Sequence, residues 1–327
     1  MDEPKIMRIL YVIPGDPDGY SMKFAKQEAY WVGQMPSVEV ETFYLASRTS
    51  PIILLKELKR LRRLIQTFQP HLIHAQFGTM TAFFCAVSTQ VPLVITYRGS
   101  DLNPAVGMNQ TRWWAGYLLS QLAALRASHL ICVSEELAHR LWWGKVSVIP
   151  SGVDLTVFQL QSYEAARSQI GWGIDERVVF FYAGASPQHK GIGLVEAAVE
   201  YASRTLQNIR LVVAKGDIPF EQMPLFMNAA DCLVLASYKE GSPNVTKEAM
   251  ACNLPVVTVE AGDVVKQLTG VFPTEIVPRD AAALGDALVR VLLERKRSNG
   301  REMVKHLDVQ CIASQLVQTY QRILKRL

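Results

Sequence analysis

Short apolar runs alternate along this chain with longer stretches of helical periodicity, and that alternation predicts parallel sheets covered by helices. Residues 6–13 read as a buried strand, followed by a loop with Gly15 and Gly19 and a helix from about 21 to 33. Residues 38–45 form the next strand. The stretch 52–68 reads as a helix with Leu54, Leu55, Leu58, Leu61, Ile65 and Phe68 on one face. Strands follow at 72–75, 93–97, 130–133 and 146–149. Residues 151–175, with Gly152, Gly171 and Gly173, read as a linker. The pattern then restarts, with strands at 178–183, 209–214, 232–235 and 255–259, and helices at about 194–206 and 244–252. Helices from Ala281 and Met303 close the chain. Two βα domains in series make the cleft between them the expected ligand site.

Composition narrows this reading. At 327 residues the chain fits two domains, and with 49% hydrophobic and 20% charged residues it is a packed globular protein. A formal charge of +4, with no zinc finger, RNA-recognition motif or basic zipper, gives no reason to expect nucleic acid. The N-terminus opens acidic and runs into a strand, unlike a signal peptide, and no apolar run reaches the ~20 residues of a membrane span. Cys85, Cys132, Cys232, Cys252 and Cys311 are widely spaced, which reads as reduced thiols in a cytoplasmic protein without a zinc site.

The most informative segment is SYKEGSPNVTKEAMACNLPVV, residues 237–257. Ser242 is a preferred N-cap and Pro243 suits the first helical position, so a helix is expected to start there. Its first amides, around Asn244 and Val245, lack intrahelical acceptors and favour a phosphate or sugar oxygen. Glu248 lies on the same helical face, leaning back toward that N-terminus. Asn253 can take the left-handed conformation that ends a helix. Glu240 and Glu248 are separated by seven residues, and in this context the segment resembles the Glu-x7-Glu element of retaining GT-B enzymes, particularly glycosyltransferase family 4. The resemblance implies that Glu240, with Gly241, Ser242, Pro243 and Asn244, holds the donor sugar and phosphate, and that Glu248 binds the ribose.

A second segment, FYAGASPQHKGIGLVEAA, resembles the same family's strand-loop-Lys-Gly element, which places Lys190 on the donor diphosphate. An ammonium ~4 Å from a phosphate oxygen gains on the order of 4 kcal/mol at an intermediate dielectric. The family usually has Gly-Arg at the end of this strand, but here the residues are Gly184-Ala185-Ser186. Either another cation takes over or the donor is held more weakly.

Weaker matches, HAQFG (74–78), TYRGSDL (96–102), VSEEL (133–137) and VIPSGVD (148–154), resemble the acceptor domain and hinge of that family. Arg98 stands where many members have a histidine. Two readings are open for it: a loop arginine pairing with Asp101, or a guanidinium reaching the donor diphosphate. Asp16-Pro17-Asp18 invites a metal, but two aspartates alone rarely make a site, and Gly15 and Gly19 read better as close approach of backbone to the donor. The helix 52–68 carries Lys56, Lys59, Arg60, Arg62 and Arg63, either a solvated basic face or one resting on anionic lipid. Trp113-Trp114 and Trp142-Trp143 read as core packing, an acceptor platform or interfacial anchors, with core packing the default.

The resemblance therefore implies a GT-B fold with two Rossmann-like domains. An acceptor-side domain would span 1–155, a linker 156–175 and a nucleotide-sugar domain 176–305, with a last helix at 306–327 returning to the first domain. The implied activity is metal-independent, retaining transfer of a hexosyl-type sugar from a nucleoside-diphosphate sugar to a hydroxyl acceptor, in cell-surface polysaccharide synthesis. The acceptor would be a glycan or a lipid-linked glycan at the inner face of the membrane. No cofactor is implied beyond the donor substrate. The rivals are a nucleotide-sugar epimerase on the same fold and a degenerate sugar-nucleotide or partner-binding module.

Overall fold

The structure, a computed structural model, describes residues 6–19, 21–104, 107–184 and 186–326. These fall into two compact units, divided at Gly152–Val153 and again at Asp308–Val309.

The first unit runs β1 (Met7–Pro14), α1 (Lys23–Gly33), β2 (Val38–Leu45), α2 (Pro51–Phe68), β3 (Leu72–Ala75), α3 (Thr79–Ser88), β4 (Leu93–Tyr97), α4 (Gln110–Arg126), β5 (His129–Cys132), α5 (Glu135–Ala138) and β6 (Val146–Val148). Its six strands lie parallel in the order β2-β1-β3-β4-β5-β6. The inner strands β1, β3, β4 and β5 are buried on both faces because helices cover both, whereas the edge strand β2 alternates and exposes Glu39 and Glu41. Leu10, Val12, Ile73, Ala75 and Ile95 meet α2, α3 and α4 on one side. On that side α2 departs from the expected face: Leu55 is exposed, whereas Glu57 is buried against Arg60 at 2.8 Å. The apolar stripe is thus one residue narrower, since Leu54, Leu58, Leu61 and Ile65 already fill the space over the sheet.

The second unit runs α6 (Tyr163–Ile170), β7 (Arg177–Tyr182), α7 (Pro187–Lys190), α8 (Ile192–Ala202), β8 (Ile209–Ala214), α9 (Met223–Ala229), β9 (Cys232–Leu235), α10 (Asn244–Ala251), β10 (Val256–Val259), α11 (Val264–Gln267), β11 (Thr274–Val277), α12 (Ala281–Glu294) and α13 (Gly300–Val304). Five parallel strands take the order β11-β10-β9-β7-β8. The stretch 156–175 is not a linker, because α6 lies within it and packs on α9. Arg167, 1% exposed, donates to Ala229 O at 2.9 Å and to Asp231 Oδ2 at 2.6 Å. Gly171, which reads like a linker glycine, is the left-handed C-cap of α6, with φ +80°.

The chain then returns to the first unit with α14 (Val309–Leu324), which packs on α1. Tyr320 of α14 is fully buried, its hydroxyl 2.7 Å from both the Tyr11 hydroxyl and His74 Nδ1.

Candidate functional site

In the second unit, β7 is followed by β8 on one side, while β9 pairs on its other side. The carboxyl ends of β7 and β9 therefore flank a topological switch point, where an open parallel sheet offers its ligand crevice. The loops emerging there are 183–191 and 236–243, and they carry Gly184, Lys190, Glu240, Gly241, Ser242 and Pro243. Ala185 lies outside the described residues.

The two loops are stitched together. Lys190 Nζ donates to Glu240 Oε1 in an ion pair whose side chains are 21% and 14% exposed. The Tyr238 amide donates to His189 O at 3.0 Å, and His189 Nε2 lies 2.9 Å from Lys239 O. Gly191, at φ +81°, allows this approach: a Cβ there would stand 2.1 Å from the Ala236 carbonyl oxygen. Arg279, after β11, reaches the same place, donating to Ser237 O at 3.0 Å and stacking on the Tyr238 ring at 3.7 Å.

A second layer supports loop 236–243 from beneath. Gly262, at φ +61°, brings its backbone against Glu240 and Gly241, whose carbonyl oxygens a Cβ would meet at 2.9 and 2.8 Å. Ser242 does not cap α10. The N-cap is Pro243, with no side-chain capping bond, and the Ser242 hydroxyl instead accepts from Lys247 Nζ at 3.1 Å and Gln267 Nε2 at 3.0 Å. It also hydrogen-bonds Asp263. Burial raises the Asp263 pKa, while Lys247, Ser242 and Gln267 oppose that rise by favouring the carboxylate. Lys247 is fully buried, so the charge that holds this layer sits inside the fold.

Glu248, further along α10, faces the end of β7. The Tyr182 hydroxyl is held above its ordinary pKa by burial and then by the Glu248 charge. The position of a Gly184 Cβ lies 3.3 Å from the Tyr182 ring. Asn244 Oδ1, at the first turn of α10, is buried without a hydrogen-bond partner, as is Ser237 Oγ. Asn253 takes the left-handed conformation, with φ +52°, as expected of a helix-ending asparagine.

The remaining expected residues lie in the first unit. The guanidinium of Arg98 is enclosed: it donates to Glu28 Oε2 at 2.8 Å, to Ser151 Oγ at 2.7 Å and to Gln76 Oε1, and lies 4.7 Å from the Phe24 ring centre. It does not pair with Asp101. That carboxylate accepts from the amides of Gly78, Arg98 and Gly99 at 2.8–3.1 Å, and burial still leaves its pKa raised. His74 lies next to this cluster, its Nε2 2.7 Å from Thr96 Oγ1, and burial with the nearby Arg98 charge holds its pKa well below the ordinary value.

Gly15 and Gly19 serve their own loop. A Cβ at Gly19 would stand 2.6 Å from Asp16 Oδ2, and Lys26 Nζ closes the loop on the carbonyls of Pro17 and Gly19 at 2.9 and 2.6 Å. Gly15 is held at φ +111°. Among the described residues there is no group of three His, Cys, Asp or Glu side chains that could hold a metal ion.

Comparison with known proteins fixes the lineage. The family model Glycosyltransferase Family 4 matches residues 19–157, and Glycosyl transferases group 1 matches residues 145–294, so the two in series span both units. The chain is a member of glycosyltransferase family 4. The match with TuaC of Bacillus subtilis (strain 168), named as a teichuronic acid biosynthesis glycosyltransferase, is 31% identical over 68% of this chain and spans 61% of TuaC. Sucrose-phosphate synthase from Thermosynechococcus elongatus has the same fold at TM-score 0.80, with 20% identity over 98% of this chain and 100% of that one. The Anabaena protein HepE, in complex with UDP and glucose, superposes at TM-score 0.73, with 17% identity over 96% and 99% of the two chains. The fold is GT-B, with a Rossmann-like sheet in each unit.

For this family 4 chain, the fold brings Lys190, Glu240 and the start of α10 to one sheet edge and keeps Arg98 within the other unit. Sequence reasoning missed Lys247, Asp263 and Arg279, and in the first unit Glu28 and Gln76. Lys247 reads as a solvated helix residue because nothing local distinguishes a lysine that folds inward. Gln76 lies within HAQFG, but nothing local marks a glutamine whose partners, Glu28 and Arg98, are 48 and 22 positions away.

Proposed function

We propose that this chain is a retaining glycosyltransferase that moves a sugar from a nucleoside-diphosphate sugar to a hydroxyl acceptor in cell-surface polysaccharide synthesis. The observation that carries this reading is the Lys190–Glu240 pair at the switch point beside α10. Lys190 takes the charge of the departing diphosphate, exchanging its Glu240 partner for phosphate oxygen, and Glu240 turns to the sugar hydroxyls. The amides at the start of α10 and the unpartnered Asn244 Oδ1 supply further polar groups to the donor. Glu248 binds the ribose. The chain's contribution is positioning and neutralisation of the leaving group, without a metal ion.

Family membership and the name of the teichuronic acid relative support a cell-surface glycan, free or lipid-linked, as the acceptor. Arg98 has a positioning role in this reading. Bringing its guanidinium to a diphosphate would break a buried pair, at about 3–5 kcal/mol.

A thermal-shift screen of UDP-, GDP- and ADP-sugars in EDTA tests the reading. A donor at about 100 times its Kd stabilises the fold by about 2.7 kcal/mol. Glu248→Ala should weaken nucleotide as well as sugar-nucleotide binding by roughly 1.5–3 kcal/mol. No response to any donor, or sugar isomerisation without an acceptor, rules the transferase out.

A further inference from the structure

A lysine ammonium inside a fold is costly unless hydrogen bonds and an opposite charge answer it. Lys247 of α10 is fully buried, and no step of the proposed transfer uses it. Two groups answer its charge: Ser242 Oγ accepts from Nζ at 3.1 Å, and the Asp263 carboxylate attracts it. Ser242 stands between the two. A serine hydroxyl offers two lone pairs and one proton. Lys247 takes one lone pair, Gln267 Nε2 takes the other at 3.0 Å, and the proton goes to Asp263. The Ser242 hydroxyl is thus saturated within the protein, with no capacity left for a ligand.

The same set of bonds spans three elements. Lys247 belongs to α10, Ser242 to the loop before it, and Asp263 and Gln267 to the two ends of α11. Gln267 Nε2 closes the set on Asp263 Oδ1 at 2.6 Å. This tie flanks the residues that carry Glu240. Ser242 lies two positions beyond Glu240, and Gly262, beside Asp263, sets its backbone against the Glu240 and Gly241 carbonyls. Lys190 is carried by the other loop, 183–191, and Glu248 by the hydrogen-bonded body of α10. Loosening the tie therefore moves Glu240 first and leaves the groups assigned to diphosphate and ribose in place.

We propose that Lys247 is a positioning residue for the donor sugar: through Ser242 and Asp263 it fixes residues 240–242, so that Glu240 is aimed at the sugar hydroxyls. The inference rests on the donor-site reading of Lys190, Glu240 and Glu248. It adds a division of labour, in which the sugar half of the donor depends on a buried charge and the nucleotide half does not.

The test is calorimetric titration of the full chain with the UDP-, GDP- and ADP-sugars of the thermal-shift screen, each against its free diphosphate. In Lys247→Met, which keeps the side-chain length and removes the charge, affinity for the responding sugar nucleotide falls by about tenfold or more, while that for its diphosphate changes by less than about threefold. The kcat falls with the sugar affinity. Ser242→Ala, which keeps both charges, gives the same split and decides the matter where Lys247→Met does not fold. A lower thermal midpoint with both affinities unchanged makes Lys247 a packing residue and overturns the proposal. Equal losses for sugar nucleotide and diphosphate overturn it as well, because the tie then serves the whole site. If the unmodified chain binds none of the probes, the donor-site reading and this proposal fall together.

Discussion

Arg98 and Lys190 are both cations hydrogen-bonded to a glutamate just beyond a parallel strand, yet their surroundings differ. The Arg98 side chain is 5% exposed and reaches three side-chain acceptors at once, Glu28, Gln76 and Ser151. Lys190 and Glu240 form one pair at the rim, each still open to water. A cation with several protein acceptors in a desolvated setting holds elements together, and moving it leaves buried charge behind. A single pair that keeps some contact with water leaves less behind when it opens, and can trade its carboxylate for a ligand anion at smaller cost. The first arrangement suits a scaffold and the second suits the binding role proposed for Lys190.

Three substitutions test that contrast. Arg98→Ala should lower the stability of the fold by about 3–5 kcal/mol, read from the urea midpoint, because it strands Glu28 in the interior. Arg98→Lys should recover only part, since an ammonium cannot reproduce the planar fork that spans three acceptors. A loss under 1 kcal/mol would remove the distinction drawn here.

Lys190→Ala should do the reverse. Its stability should change by no more than about 1 kcal/mol, while kcat falls by roughly 10²–10³, or 2.7–4 kcal/mol, once the group facing the leaving diphosphate is gone. Normal turnover in this variant would take Lys190 out of the donor site.

The smallest effect comes from His74, which is neutral in the folded chain because burial and the Arg98 charge depress its pKa. In the unfolded chain it binds a proton below about pH 6.5. The unfolded state then holds more protons, so stability is full above that pH and declines by up to about 1.4 kcal/mol per pH unit as the pH falls toward the folded pKa. Thermal midpoints between pH 7 and 5 should drop less steeply in His74→Gln than in the unmodified chain. Parallel curves would mean that other groups carry the acid sensitivity.

Much of the architecture was legible in the chain. The strands Leu72–Ala75, Leu93–Tyr97 and Cys232–Leu235 fall where the apolar runs place them, because a strand buried on both faces cannot tolerate exposed polar positions. The edge strands Val38–Leu45 and Ile209–Ala214 were legible from their remaining apolar residues. β11 (Thr274–Val277) escaped notice because it is an edge strand, only half-covered, with Glu275 in its middle. The site was legible where local chain direction sets it. Glu240 and Glu248 are carried by one loop and helix, and Lys190-Gly191 stands at a turn that only glycine allows.

Partnership across the sheet was not legible. By itself the sequence determined two βα units, the strand-loop-helix frame of residues 232–251 and the charge of the residues in it, since these follow from periodicity, turn chemistry and residue type over a few positions. Tertiary structure decided that Ser242 leaves its capping role for Lys247 and Asp263, that Arg98 meets Glu28 rather than Asp101, and that Trp114, Leu118, Leu122 and Leu125 of α4 stay outside. The first two depend on residues such as Gln267 and Ser242, or Glu28 and Arg98, 25 and 70 positions apart, arriving within hydrogen-bond distance once strands are ordered, and on how burial changes the cost of leaving a charge unpaired.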